Sequence, residues 1–584
     1  MRKTVLLLFA AAPLFGQPAV PVNATSLFEQ NCAMCHADSA PLKALTAEAI
    51  YKSMSSGAMR AQAAALNEGA KRSIAEFLSG GKLNIAAFAD AKQMPNRCTG
   101  NARVADSGPT WNGWGEDTSN TRFSAGLKSA DVPKLKLKWA FGFPGVNAVW
   151  GQPSIVGGRV FLGVDTGFVY GLDAATGCVR WSYEAEAGVR TSITVARLGG
   201  NRFAAYFGDM KASVYAVDAD TGELIWKVKI EDHPTARITG APALFEGRLY
   251  VPVASSEEGA GGNPRYACCT FRGSVVALDA ATGKQIWKTY VIPEAPQQLA
   301  KTAAGVQRWG PAGGGVWSAP TIDAKRHVLY ATTGDAYTEP AAKTTDSIVA
   351  MNLDTGRMEW TAQGTENDVW LAGCNAKNPT GNCPQSLGPD QDFSASTILK
   401  TLPGGKRILV AGQKSGNVWG LDPDNNGKVL WKTALTSNTT EFGGKIIWGG
   451  AADDQAAYFG LGPGGIAAVE LRDGERKWFT ALEPAPAMAK HPGQDGPLTA
   501  ISGVVFSGGW DGVLRALSTS DGHVIWEYNT VHDYETVNGA PGKGGSMGAA
   551  GPVVVGGTLF TNSGYVGVKN GMPGNVLLAF SVQP

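Results

Sequence analysis

The chain has 584 residues, of which 17% are charged and 44% are hydrophobic, and its formal net charge is +1. This near-neutral composition is typical of a globular protein and gives no indication of binding to nucleic acid or to an anionic surface. The length allows more than one domain. The 76 glycines accompany many aliphatic residues, which indicates numerous tight turns rather than disorder.

The first residues are typical of a secretory signal. Arg2 and Lys3 precede an almost wholly apolar run over residues 5–15, which is shorter than the roughly 20 residues that span a bilayer. We therefore expect a signal peptide over residues 1–19 and a location in the periplasm. A buried N-terminal helix is the alternative interpretation. No other stretch is long and apolar enough to cross a membrane.

Export implies an oxidising compartment, in which cysteines form disulfides. The eight cysteines sort by local sequence into Cys32 with Cys35, Cys268 with Cys269, Cys374 with Cys383, and Cys98 with Cys178. An even number with none left over suits an exported protein. The last pair rests on elimination alone.

Residues 32–36 read Cys-Ala-Met-Cys-His, which is the attachment motif of c-type haem. In this motif two thiols, here Cys32 and Cys35, bond the porphyrin, and the imidazole of His36 becomes an axial ligand of the iron. A redox or zinc Cys-x-x-Cys site is the alternative. Because no second Cys/His pair stands nearby to complete four zinc ligands, we predict covalent haem c.

The surroundings of this motif predict a small helical domain. A helix is expected to end over residues 27–31, and residues 68–78 carry apolar side chains at helical spacing. The arrangement resembles a class I cytochrome c, for which residues 22–96 are sufficient. The resemblance implies a methionine as the second axial ligand, and Met59 matches the family position best. Met54, which would otherwise face the core of a helix, is the alternative.

A phrase that describes a strand, a tight turn and the next strand recurs along the rest of the chain. At Val275–Trp287 it reads VVALDAATGKQIW, in which Asp279 and Gly283 favour the turn. Complete or weaker copies end at Trp139, Trp181, Trp226, Trp287, Trp360, Trp431, Trp478 and Trp526. Repeats of about 40–45 residues built from short strands are typical of propeller blades. Longer intervals in the middle indicate insertions on loops, where function often resides.

The repeat resembles that of the pyrroloquinoline quinone (PQQ) dehydrogenases, which are eight-bladed propellers. Three further phrases match the polyvinyl-alcohol-oxidising branch of that family, in which the cytochrome precedes the propeller: WNGWGEDTSNTRF at 111–123, LKLKWAFGFPG at 135–145 and CCTFRGSVVALDAATG at 268–283. The resemblance implies a mainly β chain with an eight-bladed PQQ-binding propeller over residues 113–584. A linker over residues 97–112 is expected to join it to the all-α cytochrome domain.

The resemblance also implies how PQQ is held. Adjacent Cys268 and Cys269 match a disulfide that lies against one face of the cofactor, and Trp317 matches the opposite wall. A disulfide between neighbours closes almost no loop, so it stabilises the fold little through chain entropy, which favours a role in the site. The alternative for Trp317 is a core position in a strand.

Four more residues are candidate cofactor contacts. Lys414 aligns with the cation that contacts the quinone oxygens in the family, and Trp448 is expected to line the cavity. Arg272 and Thr239 could hold cofactor carboxylates or could equally be polar residues of the propeller.

The resemblance implies a calcium site next to the quinone. Asp335 takes the position of a calcium ligand at which asparagine is more usual. Glu257 or Glu258 should supply a second carboxylate, and the sequence does not decide between them. Oxygen ligands of this kind suit a hard cation. A solvated acidic loop is the alternative for the two glutamates.

The catalytic base is expected in the segment GPDQDF, residues 388–393. This segment matches the one that carries the catalytic aspartate of the family, and the register favours Asp392 over its neighbour Asp390. A positioned carboxylate can take the proton of an alcohol. The structural alternative is that both aspartates cap a loop.

These expectations describe a periplasmic dehydrogenase that oxidises secondary hydroxyl groups of polyvinyl alcohol, or of a related alcohol, to ketones. Electrons should pass from PQQ to haem c and then to a soluble cytochrome c or a similar acceptor. One alternative is the same machinery acting on a different small alcohol or an aldehyde. Others are a non-catalytic propeller scaffold with a fused cytochrome and a polymer-binding module without turnover.

Overall fold

The computed structural model describes residues 24–33, 36, 39–43, 45–55, 59, 62–63, 66–100, 102–146, 148–374, 381–436, 445–483, 493–566 and 571–582. The expected signal over residues 1–19 lies outside this set. The chain divides after Asn84 into two compact units. Among the described residues, no helix is long and apolar enough to cross a membrane.

The first unit is helical, as the sequence predicts. Its helices are α1 (Ala24–Asn31), α2 (Ala40–Lys43), α3 (Ala47–Ser55) and α4 (Glu68–Ser79). α4 begins after Asn67, whose side chain accepts the backbone N–H of Ala70, and it ends at Gly80, which has a φ of 68°. Such a left-handed residue at a helix end favours glycine. α4 packs against α1 and α3, and the buried Ile74 and Ala75 lie on its inner face.

The second unit begins with short helical segments rather than with a strand. They are α5 (Ala86–Ala89) and two 3₁₀ helices, Ala91–Gln93 and Ser129–Lys134. The hydroxyl of Tyr170 donates to the carbonyl of Ala89, and the backbone N–H of Ala91 donates to Ser182, so this segment is tied to the sheets. Cys98 and Cys178 form a disulfide, as the pairing by elimination predicts. The expected limits of the cytochrome domain and the linker stay predictions.

Within the described residues, the second unit contains eight antiparallel sheets built on a four-strand meander. Strand β1 (Lys136–Gly142) belongs to the last sheet. The first four meanders are β2 (Ser154–Val156), β3 (Arg159–Gly163), β4 (Phe168–Asp173) and β5 (Val179–Glu184); β6 (Thr194–Gly199), β7 (Arg202–Gly208), β8 (Ser213–Asp218) and β9 (Leu224–Lys229); β11 (Ala243–Phe245), β12 (Arg248–Ser255), β13 (Ser274–Asp279) and β14 (Gln285–Tyr290), with β10 (Ala236–Arg237) also paired to β12; and β17 (Thr321–Asp323), β18 (Val328–Thr332), β19 (Ser347–Asn352) and β20 (Met358–Gln363).

The remaining meanders are β21 (Ile398–Thr401), β22 (Arg407–Gly412), β23 (Asn417–Asp422) and β24 (Lys428–Ala434); β25 (Ala451–Ala452), β26 (Ala456–Gly460), β27 (Ile466–Glu470) and β28 (Arg476–Thr480); β29 (Thr499–Ile501), β30 (Val504–Gly508), β31 (Val513–Ser518) and β32 (Val524–Asn529); and β35 (Val553–Val555), β36 (Thr558–Ser563) and β37 (Val576–Ser581) completed by β1. Helix α6 (Glu257–Gly261) lies within the third blade, between β12 and β13. Two strand pairs lie between blades, β15 (Gln297–Gln298) with β16 (Trp309–Gly310) and β33 (Asp533–Tyr534) with β34 (Gly542–Lys543).

The first strand of the propeller closes the ring by joining the last sheet. β1 pairs with β37 in antiparallel register, with Trp139 opposite Ala579. A ring closed in this way leaves no long open sheet edge. The predicted eight-bladed propeller is therefore confirmed.

The repeat tryptophans join successive blades. A Cβ added to Gly283, in the turn of the third blade, would lie 2.7 Å from Trp226 of the second blade. The indole N–H of Trp226 donates to the carbonyl of Ala280 at 3.0 Å in the same turn. Trp360 packs equally closely on Gly427, but its indole N–H has no partner, and this is the turn that carries one inserted residue. The turn and the tryptophan recur together because they form one contact.

We expect Gly283→Ala to destabilise the propeller more than Gly247→Ala in the same blade. Both glycines have a left-handed backbone, with φ of 72° and 74°, but only Gly283 lies against an indole, whereas a Cβ on Gly247 would contact nothing within 4 Å. The two variants share the backbone strain, and the clash with Trp226 adds about 1–3 kcal/mol. Thermal unfolding measures the difference, and equal melting temperatures would contradict the interlocking role.

Candidate active site

Cys32, His36, Met54 and Met59 line one cavity of the first unit. The cavity has about 860 Å³ of atom-free space, and its other walls come mainly from apolar residues of α1, α3 and α4. Backbone hydrogen bonds fix the segment that carries Cys32 and His36. The N–H of Cys32 donates to the carbonyl of Phe28 at 2.8 Å, and the N–H of His36 donates to the carbonyl of Cys32 at 2.9 Å. The expected partner Cys35 lies outside the described residues.

This cavity fits a large, flat and mainly apolar group. The side chains that could bond such a group are the Cys32 thiol, the His36 imidazole and the thioethers of Met54 and Met59. Burial raises the pKa of the Cys32 thiol. Met54 is buried in α3, and the backbone N–H of Met59 donates to the carbonyl of Ser53. Both sequence alternatives for the second axial ligand therefore reach the cavity.

A second cavity, in the propeller, is lined by aromatic side chains. It has about 420 Å³ of atom-free space and is bounded by Trp114, Trp150, Trp317 and Trp448 together with Arg190, Thr239 and Ser394. Trp317 and Trp448 meet edge to face, with ring centroids 5.6 Å apart. Thr239 donates its hydroxyl to the carbonyl of Trp317 at 3.0 Å. Three residues predicted from separate motifs thus come together here.

Cys268 and Cys269 form the predicted disulfide, and both are fully buried. The carbonyl of Cys268 accepts the backbone N–H of Trp309 at 2.7 Å, which ties the pair to β16. Helix α6 passes directly over the two sulfur atoms, since a Cβ on Gly261 would lie 2.8 Å from the sulfur of Cys268. The close approach of backbone to disulfide requires glycine at this position.

Glu257 and Glu258, adjacent on α6, have different surroundings. The fully buried carboxylate of Glu257 accepts the backbone N–H groups of Thr270 and Phe271 at 2.9 and 2.7 Å, and the hydroxyl of Tyr266 at 3.0 Å. Glu257 therefore fixes the turn that follows the disulfide. Burial raises the pKa of Glu258 to about 7, although the charge of Lys414 lowers it in part. The charge of Asp392 raises this pKa as well. Of the two, Glu258 is the one that lies among the other acidic groups.

Lys414 lies between the two candidate bases. Its ammonium group is 2.6 Å from Oδ1 of Asp390 and 3.0 Å from Oδ2 of Asp392. The same group is 5.6 Å from the centroid of Trp317. Burial opposes the charge of Lys414, but Asp392 and Asp390 raise its pKa well above the ordinary value, so it remains a cation.

The cluster holds more buried carboxylate than the lysines neutralise. Asp335, Asp390 and Asp392 each place one carboxylate oxygen within 4.8 Å of the others. Oδ2 of Asp335 and Oδ1 of Asp392 are buried without a hydrogen-bond partner. Burial, together with Asp392 and Glu258, raises the pKa of Asp335 well above its usual range. An unpaired buried carboxylate oxygen is costly, and a hard cation with oxygen ligands would satisfy Oδ2 of Asp335 while leaving Oδ1 of Asp392 free.

Asp390 and Asp392 differ in how their oxygens are used. Both oxygens of Asp390 are in ion pairs, one with Lys414 and one with Lys445 at 2.8 Å. Burial alone would raise the pKa of Asp390, but these two lysines lower it. Asp392 has one oxygen on Lys414 and the other without a partner, and burial raises its pKa. Asp392 is the better placed of the two to accept a proton.

Asp392 also lies close to the aromatic cavity. A Cβ on Gly334 would be 3.2 Å from Oδ2 of Asp392 and 3.5 Å from the indole nitrogen of Trp317. Gly334 thus lies between the carboxylate of Asp392 and the indole of Trp317, close to both. A group lying on Trp317 would therefore be near the carboxylate of Asp392.

Arg272 is directed away from this site. Its guanidinium lies 3.9 Å from the ring centroid of Tyr290 and donates to the carbonyls of Ile292 and Pro293 at 3.1 and 2.9 Å. These contacts with Tyr290 and with the two carbonyls after β14 favour the propeller alternative that the sequence left open for Arg272.

Several residues of the site have no distinctive sequence motif. Arg190 lies 4.7 Å from the ring centroid of Trp448, and the Nε atom of Arg237 is buried without a partner. Burial and the proximity of Arg190 lower the pKa of Arg237. Asp346 is fully buried with both carboxylate oxygens unpartnered. Lys445, which pairs with Asp390, also belongs to no motif. The only sequence signal for these four residues was a charged side chain in or between strands of the repeat.

Two family models match the propeller. One, described as the β-propeller domain of glucose, ethanol and alcohol dehydrogenases, matches residues 111–378. The other, described as the outer membrane protein assembly factor BamB, matches residues 405–571.

Two relatives are similar over nearly the whole chain. A polyvinylalcohol dehydrogenase of a Pseudomonas species is 39% identical, covering 96% of this chain and 93% of its own. A polyvinylalcohol dehydrogenase of Sphingopyxis sp. (strain 113P3) is 36% identical, covering 98% and 95%. Among solved structures, the quinohemoprotein alcohol dehydrogenase ADHIIG of Pseudomonas putida HK5 superposes with a TM-score of 0.62 at 18% identity, covering 84% of this chain and 83% of its own. At that identity the likeness concerns the fold.

We expect the affinity of the chelator-treated protein for Ca²⁺ to fall as the pH falls through about 7. Glu258, whose pKa is raised to about 7, must lose its proton before it can ligate a cation, so binding releases protons below that pH. Calorimetric titration at several pH values measures this. Glu258→Gln should weaken binding and remove most of the pH dependence, whereas Glu257→Gln should keep it. The reverse pattern would make Glu257 the ligand.

Proposed function

The chain belongs to the polyvinyl alcohol dehydrogenases, a branch of the PQQ-dependent alcohol dehydrogenases, and on that premise we propose that it oxidises secondary hydroxyl groups of polyvinyl alcohol or a related alcohol to ketones. The observation that carries the proposal is the carboxylate of Asp392: its Oδ1 has no hydrogen-bond partner, and its Oδ2 contacts Lys414 and lies on the side of Gly334 and Trp317. An alcohol dehydrogenase needs a base of this kind beside its cofactor.

Trp317, which lines the aromatic cavity, would form one flat wall of a PQQ site. The buried Cys268–Cys269 disulfide does not line this cavity, and it is the second wall that the family resemblance implies. The three carboxylates of the cofactor need cations, and Arg190 and Arg237, whose Nε has no hydrogen-bond partner, would supply them. Lys414 would contact the quinone oxygens. Thr239 and Trp448 complete the lining, whereas Arg272 takes no part.

The excess of buried carboxylate supports a resident cation, which we assign as Ca²⁺. Glu258 and Asp335 are the proposed ligands, because burial raises the pKa of both carboxyl groups and the charges of Asp392 and Glu258 raise that of Asp335 further. An aspartate at position 335 adds a negative charge where the family more often has asparagine. The charge would strengthen binding of a hard cation.

When bound next to Ca²⁺, PQQ supplies an electrophilic quinone carbonyl that takes two electrons from an alcohol. The residues of the chain prepare the alcohol for this. The free Oδ1 of Asp392 accepts the hydroxyl proton, which leaves the substrate carbon ready to become a carbonyl carbon. Lys414 holds the other oxygen of Asp392 in place, and the tryptophans exclude water from the site.

We further propose that the first unit carries haem c and passes the electrons on. Cys32 and Cys35 would bond the porphyrin, and His36 and Met59 would ligate the iron on its two sides. The apolar cavity that contains three of these four side chains supports this assignment. A periplasmic location and delivery of electrons to a soluble cytochrome c or a similar acceptor follow from the predicted signal and from the haem.

We expect Asp392→Asn to retain PQQ and to lower the rate of cofactor reduction by an alcohol about 10²–10⁴-fold, because the base is lost. Stopped-flow absorbance in a single turnover measures the reduction of PQQ separately from electron transfer to the haem. Asp390→Asn is the matched control, since it removes the same charge two residues away. Asp390→Asn should lower the rate of cofactor reduction less, because both oxygens of Asp390 are in ion pairs with lysines. A larger loss in Asp390→Asn would move the base to that residue.

We expect Met59→Ala to lower the reduction potential of the haem and to abolish the charge-transfer band between methionine sulfur and iron. A thioether ligand raises the potential, so its loss has this sign. Redox titration of the holoprotein and its absorption spectrum provide the measurements. Met54→Ala should leave both signals in place. If Met54→Ala removes them and Met59→Ala does not, Met54 is the ligand.

A further inference from the structure

We propose that Asp368 is a positioning residue, which fixes the loop that carries Asp390 and Asp392 relative to Asp335. No sequence motif points to Asp368, and the proposed reaction does not use it. The inference rests on the proposed function in so far as Asp392 and Asp335 act in the reaction.

The carboxylate of Asp368 accepts two backbone hydrogen bonds from the loop that carries Asp390 and Asp392. Asp368 is fully buried. Its Oδ1 accepts the backbone N–H of Asp390 at 3.2 Å, and its Oδ2 accepts that of Gln391 at 2.7 Å. Asp390 has a φ of 59°, so the chain turns sharply at this point. Two successive N–H groups on one carboxylate are charge-assisted hydrogen bonds, which fix a turn more firmly than neutral ones.

The main chain of the same residue is tied to the neighbour of the proposed metal ligand. The backbone N–H of Ala336 donates to the carbonyl of Asp368 at 3.1 Å, and that of Trp370 donates to Ala336 at 2.9 Å. On the other side, Gly388 donates to the carbonyl of Val369 at 2.9 Å. Residues 368–370 therefore lie between the segment of Asp335 and the loop of Asp392 and connect the two.

Close packing at Gly388 indicates that this connection is tight. A Cβ at Gly388 would lie 2.1 Å from Oδ1 of Asp368 and 2.6 Å from the backbone nitrogen of Val369. Any larger residue would displace the carboxylate or the loop. The glycine thus allows Asp368 to reach under the turn.

Asp368 does not itself have the contacts of a base. Both of its oxygens accept backbone N–H groups, whereas Asp392 keeps one oxygen free. Its effect on the reaction would pass through the loop: the backbone N–H of Lys414 donates to the carbonyl of Asp392 at 3.0 Å, so a displaced loop would also shift the lysine. Misplacement by about 1 Å can cost on the order of 10²-fold in rate.

The test compares Asp368→Ala, Asp368→Asn and the wild-type protein reconstituted with PQQ and Ca²⁺. Alanine removes both acceptors, and asparagine keeps one. We expect kcat for an alcohol to fall on the order of 10²-fold in the alanine variant and less in the asparagine variant, with KM changed less than about threefold. Hydrogen exchange of a peptide that covers residues 388–393 should become faster in the same order, in the protein without cofactor.

Asp323→Asn is the control for a merely structural effect. Asp323 is a buried aspartate of the same blade that caps a turn at the opposite end of β18: it accepts the backbone N–H of Arg326 at 3.1 Å and the hydroxyl of Tyr330 at 2.9 Å. Asp323→Asn should lower the melting temperature while leaving both kcat and exchange over residues 388–393 unchanged.

Two results would overturn the proposal. One is unchanged exchange of residues 388–393 in Asp368→Asn, which would mean that the carboxylate does not hold the loop. The other is faster exchange with unchanged kcat, which would mean that the held geometry is not needed. If Asp368→Ala does not fold, the asparagine variant decides alone. Full activity of Asp392→Asn would refute the proposed base instead, and it would leave the exchange result standing.

Discussion

The ammonium group of Lys414 lies buried between the carboxylates of Asp390 and Asp392, and the chemistry of the site depends on this contact. The lysine and its partner Lys445 neutralise Asp390 fully but leave one oxygen of Asp392 free. Since Asp335 and Glu258 also lie in the same buried cluster, the negative charge exceeds what two lysines can balance. A bound cation would complete the balance, and Asp392, whose Oδ1 has no hydrogen-bond partner, would remain as the proton acceptor.

The propeller provides a rigid frame on which such a costly cluster can be held. Successive blades are joined by the repeat tryptophans, as Trp226 on Gly283 illustrates. The charged residues themselves lie at strand ends and on the connections between them: Asp335 follows β18, Asp392 precedes β21, and Lys414 lies between β22 and β23. The segments that carry them are therefore held by hydrogen bonds between connections, rather than by the ladders of the sheets, and this is the role proposed for Asp368.

The sequence predicted the fold, and it singled out most residues of the proposed site, because both depend on local sequence patterns. The phrase around Val275–Trp287 contains a strand, its turn and the contact to the previous blade, so the number of blades could be read from its copies. Adjacent cysteines, and the aspartates of GPDQDF, were recognisable for the same reason. The resemblance to a family placed Trp317 and Lys414 at positions that the structure brings together.

Contacts between distant segments could not be read from the sequence. The sequence does not distinguish Glu257 from Glu258. Only the folded turn after Cys269 shows that Glu257 accepts the backbone N–H groups of that turn. Arg272 follows the disulfide closely, yet its guanidinium stacks on Tyr290. Arg190 and Arg237 come from strands and turns of other blades and carry no motif. The partners of a buried charge are set by the tertiary fold, so no spacing rule predicts them.

The most direct test of the account is a crystal structure of the protein reconstituted with PQQ and Ca²⁺, with the cation identified by anomalous scattering. The account predicts one cation bound by carboxylate oxygens of Glu258 and Asp335 at about 2.3–2.6 Å. It also predicts PQQ between Trp317 and the Cys268–Cys269 disulfide, with Oδ1 of Asp392 free to face the substrate. A cation held by Glu257, no cation at the acidic cluster, or PQQ bound elsewhere would contradict it.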